Sequence, residues 1–343
     1  MRVSCIWLSA ATIMLAACSS CSSSTAKGFP SGDGGGSSSG SSSGGSGSGG
    51  GDSGQTITPT QACADVAGAV CGRLNACTPF GLQVAYGDKT TCAQRAALAC
   101  AATVGVPGSA ATPAQIDQCA QAMSGQTCDE WLDNAQPSAC AFTGTLAASA
   151  ACGDNAQCQS GYCRVGLGST CGTCQSRVSA GETAPDGGPL CAVDTDCMAT
   201  LVCNAGTCVS PAAKGASCGT SQPCLRSLVC SGGTCVAPLP AGSGCPSGNE
   251  CDAAHGGYCN AQSKTCMTLG TASAGQPCGL VNGAVVACVA GATCGNISSS
   301  TGQGTCHQPA ADGAVCGPDI SCMAPAVCTT AARCTLPTPS TCH

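Results

Sequence analysis

CAVDTDCMATLVCNAGTC, residues 191–208, is followed nine residues later by CGTSQPCLRSLVCSGGTC, residues 218–235. Both stretches read Cys-x5-Cys-x5-Cys-x4-Cys, and both place Leu-Val before the third cysteine, as Leu201-Val202-Cys203 and Leu228-Val229-Cys230. A fixed period with matching fragments marks a repeated structural unit. So Cys191, Cys197, Cys203 and Cys208 form one unit, and Cys218, Cys224, Cys230 and Cys235 the next. Looser copies follow in Cys245, Cys251, Cys259 and Cys266, in Cys278, Cys288, Cys294 and Cys306, and in Cys316, Cys322, Cys328 and Cys334, with Cys342 beyond them. Upstream, a divergent first unit holds Cys152, Cys158, Cys163, Cys171 and Cys174. Glycine tends to stand three residues before a unit's first cysteine (Gly188, Gly215, Gly242, Gly275, Gly313), which predicts a turn there. These 26 cysteines are even in number, so full pairing is possible, and each four-cysteine unit admits three connectivities.

Composition agrees with a chain of small stapled units. Of 343 residues 37 are Cys, whereas aromatics make up 2% and charged residues 8%. A globular enzyme of this length buries a large aliphatic and aromatic core, and this chain lacks the material for one. Its 43% hydrophobic content rests on Ala and Cys rather than on membrane-spanning runs. A net charge of −6 is too modest for disorder driven by self-repulsion. Disulfides, contributing about 2–4 kcal/mol each, stabilise domains whose cores are too small. They persist outside the cytosol, so the chain is expected in an oxidising compartment.

Residues 57–147 read differently, as helix. Cys63, Val66, Val70, Leu74 and Cys77 fall on one face at helical period, with Cys71 on its flank. Asp88 can cap a second helix carrying Cys92, Ala96 and Cys100. Thr112-Pro113-Ala114-Gln115 combines a cap residue, proline at the first helical position and a capping-box glutamine. A short helix is predicted through Asp129-Glu130-Trp131-Leu132, with Trp131 as a core anchor. Eight cysteines here (Cys63, Cys71, Cys77, Cys92, Cys100, Cys119, Cys128, Cys140) allow four bridges. The expected fold class is small and disulfide-rich: a stapled all-α domain, then a loop-rich array of four-cysteine repeats with short β-hairpins.

Ahead of the helices, Arg2 and the apolar residues 6–17 lead into Leu15-Ala16-Ala17-Cys18. The apolar run is too short for a membrane-spanning helix. Leu15 to Cys18 resembles a bacterial lipobox. That resemblance implies removal of residues 1–17 as a signal peptide, lipidation of Cys18, and, with Ser19 next, sorting to the outer membrane. Cys5 would leave with the signal, and Cys21 has no assigned partner. Residues 18–56 then read as a tether. Its stretch 31–54 is almost purely Gly and Ser, which gives a flexible coil spanning about 30–35 Å.

Residues 148–210 resemble the N-terminal cysteine-rich domain of the Dickkopf family, through Cys152-x5-Cys158-x4-Cys163, Cys171-Gly172-Thr173-Cys174 and Cys191 to Cys208. The family has ten cysteines there, including an adjacent pair; this segment has nine and no such pair. The resemblance concerns the scaffold, and receptor binding does not carry over with it. Residues 211–343 continue as Cys-rich repeats. The whole layout is similar to cysteine-rich lipoproteins common in myxobacteria.

Candidate chemistry is thin. Gly51-Asp52-Ser53-Gly54 looks like a protease nucleophile segment, but the one echo of a histidine segment, at His255, follows the serine instead of preceding it. A Gly/Ser coil also offers a nucleophile no rigid support. Cys171 and Cys174 have oxidoreductase spacing without the strand–helix context that lowers a thiol pKa. His255, His307 and His343 lack zinc-site spacing. Asp194 and Asp196 supply two carboxylates where calcium needs more oxygen ligands. Glu130, Glu182 and Glu250 are scattered, and Asn296-Ile297-Ser298 is a sequon by pattern alone. Eleven Lys and Arg in an acidic chain argue against nucleic acid. No catalytic residue, metal or cofactor is expected. The expectation is a non-catalytic, lipid-anchored surface protein, meeting the membrane through its lipid and an extracellular or envelope protein or polysaccharide through its repeats. The alternatives are a protective envelope component, or a secreted enzyme or inhibitor with an unrecognised site.

Overall fold

The computed structural model describes residues 56–165, 169–182, 190–336 and 338–342. The signal segment, Cys5, Cys18, Cys21, nearly all of the tether with Asp52 and Ser53, Gly188 and His343 lie outside the described residues.

Among the described residues five helices come first: α1 (Pro59–Cys77), α2 (Pro79–Tyr86), α3 (Lys89–Thr103), α4 (Pro113–Ser124) and α5 (Cys128–Leu132). Their starts follow from the local sequence. The Thr58 hydroxyl accepts from the Gln61 amide, 3.2 Å, and the Asp88 carboxylate from Thr91, 2.8 Å. Thr112 with Gln115, and Thr127 with Glu130, close reciprocal capping boxes. Asp88 and Glu130 are both held below the usual carboxylate range by the backbone N–H each accepts from, helped by a threonine hydroxyl.

The buried face of α1 differs from the expected one. Ala67 and Cys71 lie at its centre, 1% and 0% exposed, while Val66 and Val70 are half-buried. Alanine lets α3 approach closely enough for the Cys71–Cys92 bridge, whose Cα atoms are 5.9 Å apart. Leu74, Leu82, Tyr86 and Ala96 complete this core, and Trp131 packs against it. Cys63–Cys100 also clamps α1 to α3, Cys77–Cys128 ties α1 to α5, and Cys119–Cys140 ties α4 to a 3-10 turn at Ser138–Cys140.

Six stapled units follow. In each, the first cysteine bonds the third and the second bonds the last, which is the fourth except in the first unit, where the extra Cys171 makes it the fifth; examples are Cys191–Cys203 with Cys197–Cys208 and Cys218–Cys230 with Cys224–Cys235. The other units repeat the scheme: Cys152–Cys163 with Cys158–Cys174, Cys245–Cys259 with Cys251–Cys266, Cys278–Cys294 with Cys288–Cys306, and Cys316–Cys328 with Cys322–Cys334.

The third and last cysteines stand on short antiparallel strands. The first unit has β1 (Ala151–Cys152), β2 (Cys163–Val165) and β3 (Gly172–Cys174). The next three have hairpins β4 (Val202–Asn204) with β5 (Thr207–Val209), β6 (Val229–Ser231) with β7 (Thr234–Val236), and β8 (Gly257–Asn260) with β9 (Thr265–Thr268). Cys203 faces Cys208 across its hairpin, as Cys230 faces Cys235 and Cys259 faces Cys266. The fifth unit widens into five strands: β10 (Gly270–Ala272), β11 (Pro277–Val281), β12 (Ala284–Cys288), β13 (Thr293–Gly295) and β14 (Gln303–His307). The sixth keeps β15 (Val327–Cys328) with β16 (Cys334–Thr335).

Each unit opens with an aliphatic residue that bridges, in parallel, to its second cysteine: Leu146, Val178, Ala212, Leu239, Ala272 and Ala310. Three residues later comes a positive-φ residue whose amide donates to the carbonyl of the unit's last cysteine. These are Ser149, Gly181, Gly215, Gly242, Gly275 and Gly313. In the second unit this turn is made by Gly181, ten residues before Cys191; the turn expected at Gly188 lies outside the described residues. Each unit's core is little more than two crossed disulfides and its lead aliphatic residue, as with Cys245, Cys251, Cys266 and Leu239. This accounts for folding with so few large apolar side chains.

The array does not extend away from the helices but folds back along them. Asp133 accepts from the Ser227 amide (2.8 Å) and hydroxyl (3.1 Å) of the third unit. Phe80 of α2 lies against Gly256 of the fourth unit, where a side chain would sit 2.8 Å from its ring. Ala290 and Gly291 of the fifth unit donate to the Gln83 and Val84 carbonyls, at 3.0 and 2.7 Å. Arg95 of α3 holds the sixth unit through Asp312, Met323 and Ala324. The circuit closes where Pro339 packs on Gly153 and Cys342 bonds Cys171. Seventeen disulfides thus use every cysteine from Cys63 to Cys342.

Candidate functional site

The residues that the sequence offers for chemistry are built into the scaffold. Asp196, 5% exposed, accepts from the Ala192 and Val193 amides at 2.6 and 3.1 Å. Its other oxygen accepts from the Tyr162 hydroxyl of the preceding unit. Burial, and then this bond to a carboxylate, push the Tyr162 phenol well above its usual range. Asp194 accepts from the Cys203 amide, 2.7 Å, and pairs with Arg226 of the following unit. Burial lowers the Arg226 pKa while Asp133 acts to raise it. Tyr162 and Asp196 thus join the first unit to the second, Asp194 and Arg226 join the second to the third, and Ser227 joins the third to Asp133 at the end of α5. Asp196 and Asp194 fasten units together, and their oxygens are turned to protein donors.

Glu250 repeats the theme within one unit. It is fully buried and accepts from the Ser247 and Gly248 amides at 3.0 and 2.9 Å. Burial pushes its pKa up, but these backbone donors outweigh burial and hold it below the usual range. Gln157 does the same work, accepting from the Gly153 and Asp154 amides at 2.8 and 3.0 Å. Gln157, Asp196 and Glu250 each stand immediately before their unit's second cysteine. That shared position was available in the sequence as a sign of a structural acceptor. Glu130 serves a helix cap, and Glu182 accepts from the Ser179 amide, 2.9 Å.

His255 is exposed, with Nδ1 2.7 Å from the Asp252 carboxylate. His307 lies 3.1 Å from the Asn296 side-chain amide, so the sequon asparagine is engaged there. Groups of three cysteines such as Cys191, Cys197 and Cys208 bring their sulfurs within 4.8 Å of one another. Those groups are crossed disulfides, and metals bind thiolates. Cys171 and Cys174 do not pair with each other: Cys174 bonds Cys158 and Cys171 bonds Cys342. The Trp131 indole packs on the helical core with its N–H buried and unpartnered among the described residues.

An open groove of about 700 Å³ lies between α1 and α4. Its floor is the small-residue row Ala64, Gly68 and Gly72 with Ala120, and its rim carries Asp65, Arg73, Lys89 and Asp117. The rim is mixed in charge and partly self-satisfied: Gln61 and Gln121 donate to Asp65 and Asp117 at 2.8 and 2.7 Å. A second hollow of about 240 Å³ lies at the ring closure, between Pro107, Leu146, Gln157 and Pro339.

Comparison with family models, with curated proteins and with solved structures finds no match to this chain. Among the described residues no helix is long and apolar enough to cross a membrane.

Proposed function

We propose that this chain is a non-catalytic interaction protein, held at the outer surface of a bacterial outer membrane by lipid on Cys18 and raised from it by the residue 18–56 tether. The body then presents its inter-disulfide loops and the α1–α4 groove to an extracellular or envelope protein or polysaccharide. One observation carries the non-catalytic reading: Asp194, Asp196, Glu130, Glu182, Glu250, His255 and His307 each have a scaffold partner. The lipobox-like Leu15-Ala16-Ala17-Cys18 and the likeness to cysteine-rich lipoproteins support the address. Acylation is tested by mass spectrometry of the N-terminal peptide from envelope fractions; an unmodified Cys18 would refute the anchor. Binding is tested by capture from envelope and extracellular-matrix fractions on immobilised residues 57–343. Saturable retention of one protein or glycan supports the proposal, and no retention refutes it.

A second reading is a protective envelope component, and it draws support from the closed covalent circuit. It predicts that the oxidised body survives proteases that digest its reduced form, with no saturable ligand.

A further inference from the structure

Every unit carries a loop between its second and third cysteines, and in five of the six that loop lies on residues 57–147. Gly161 of the first unit packs beside the Phe142 carbonyl, Ser227 of the third donates to Asp133, and Gly256 of the fourth lies against Phe80. Ala290 and Gly291 of the fifth donate to carbonyls of α2, and Met323 and Ala324 of the sixth accept from Arg95. The second unit is the exception. Its Met198, Ala199 and Thr200 are exposed, Met198 at 51%. Met198 bonds within its own unit: its amide donates to the Val178 carbonyl, and its sulfur accepts from the Ser179 hydroxyl, 3.4 Å. We propose that this loop is a docking surface for a second copy of the chain, and that it seats in that copy's α1–α4 groove.

The sister loop identifies the kind of surface it fits. Cys197-Met198-Ala199 repeats Cys322-Met323-Ala324 residue for residue. In the sixth unit that Met-Ala pair is half-buried, and Ala324 packs against the core that α1, α2 and α3 share. The same pair in the second unit faces solvent. Thr200, at the tip of its loop, holds φ at +71°, an outlier for a β-branched residue of the kind that gathers at binding loops.

The helices leave a matching face open. The docked loops occupy α2, α3, the end of α5 and Phe142, and the α1–α4 groove continues that helical surface. It is concave where the loop protrudes, and a Cβ on Gly68 of its floor would meet nothing within 4 Å, which leaves room for a thioether. Charge matches as well. Arg73 and Lys89 gather at one end, where the Lys89 ammonium would stand 4.0 Å from a Cβ on Gly72. Glu182 accepts from the Ser179 amide, and Ser179 touches Met198, so seating Met198 brings a carboxylate to that basic end. A loop on one face meeting a groove on another is a head-to-tail contact, which adds copies into a ring or an open filament. The inference rests on the reading of this groove as a binding surface and stands without the lipid anchor.

Sedimentation velocity of the full folded chain over a graded concentration series tests it. The mass is expected to rise past that of a dimer. A monomer at every concentration would overturn the self-docking, while capture of another partner would still stand or fall by its own experiment. Met198→Asp spoils the loop, and Gly68→Leu fills the groove. Met198 is exposed and a Gly68 side chain starts in open space, so both variants should keep all seventeen bridges on peptide mapping. Each alone should weaken association about tenfold or more. Mixed one to one, they should form a pair that grows no further, because the intact loop of Gly68→Leu fits the intact groove of Met198→Asp. Association unmoved by either variant, or no pair in the mixture, would refute the seating. A photo-crosslinking benzoylphenylalanine in place of Met198 should mark residues 64–73 and 117–124 of another copy, and marks confined to other segments would refute it too.

Discussion

Replacing Arg95 by methionine should undock the sixth unit from the helices while leaving both folded. The Arg95 guanidinium forks onto Asp312 at 2.7 and 2.9 Å, and it also donates to the Met323 and Ala324 carbonyls, 2.8 Å each. A bond from a charged donor to a neutral carbonyl contributes about 1.5–3 kcal/mol. The carboxylate pair adds only about 0–1 kcal/mol, because Asp312 keeps a third of its side chain in solvent. One side chain makes all four contacts, so the losses do not simply add, and methionine leaves both carbonyls unpaired. The docking free energy should fall by about 2–4 kcal/mol. Each 1.4 kcal/mol is a factor of ten, so amides protected by docking should exchange roughly 30 to 1000 times faster.

Hydrogen exchange with peptide resolution reads this directly. Faster exchange is expected in residues 310–336 and in the exposed turns of α3, with residues 191–266 unchanged. Arg95→Lys should recover little, since an ammonium cannot reproduce the fork. Asp312→Asn should cost under about 1 kcal/mol. Uniform exchange across the chain in Arg95→Met, or none above the parent, would refute the reasoning.

Glu250 and Glu130 have folded pKa values below 4.5, so each contributes stability that is complete above that pH and is lost as pH falls through the lower folded value. The urea midpoint should therefore drop on acidification below about pH 4.5, and less steeply in Glu250→Gln. Tyr162→Phe removes a hydrogen bond to a carboxylate and should cost about 1.5–3 kcal/mol, seen as faster amide exchange in both the first and second units. Gly215→Ala meets nothing within 4 Å but keeps a φ of +83°, so its cost is conformational, about 1 kcal/mol in the urea midpoint. A Cβ at Gly144 would stand 2.1 Å from the Gln157 carbonyl carbon, so Gly144→Ala should cost clearly more than Gly215→Ala. Equal costs would contradict the packing of the first unit.

What could be read from the chain was whatever is written locally. Asp88, Thr112 and Gln115 announce helix starts because a cap and its partner lie within three residues. The cysteine rhythm marks the units because every bridge within them spans fewer than twenty residues. The partner of Cys171 was hidden for the opposite reason: it lies 171 residues away and no local pattern points to it. The spacing of Cys171 and Cys174 even suggested a false relation. Gly181 was missed because extra residues displace it from Cys191, although Val178 and Gly181 repeat the Ala212 and Gly215 spacing. The folding back onto α2 and α3 rests on single contacts such as Arg95 with Asp312, which composition and periodicity do not register.

The central claim is a closed covalent circuit of six cross-stapled units around a helical core, and non-reducing peptide mapping of the purified chain tests it most directly. The account predicts a peptide joining Cys171 to Cys342, with first-to-third and second-to-last bridges in every unit. A peptide joining Cys171 to Cys174, or units paired first-to-second and third-to-fourth, would contradict it.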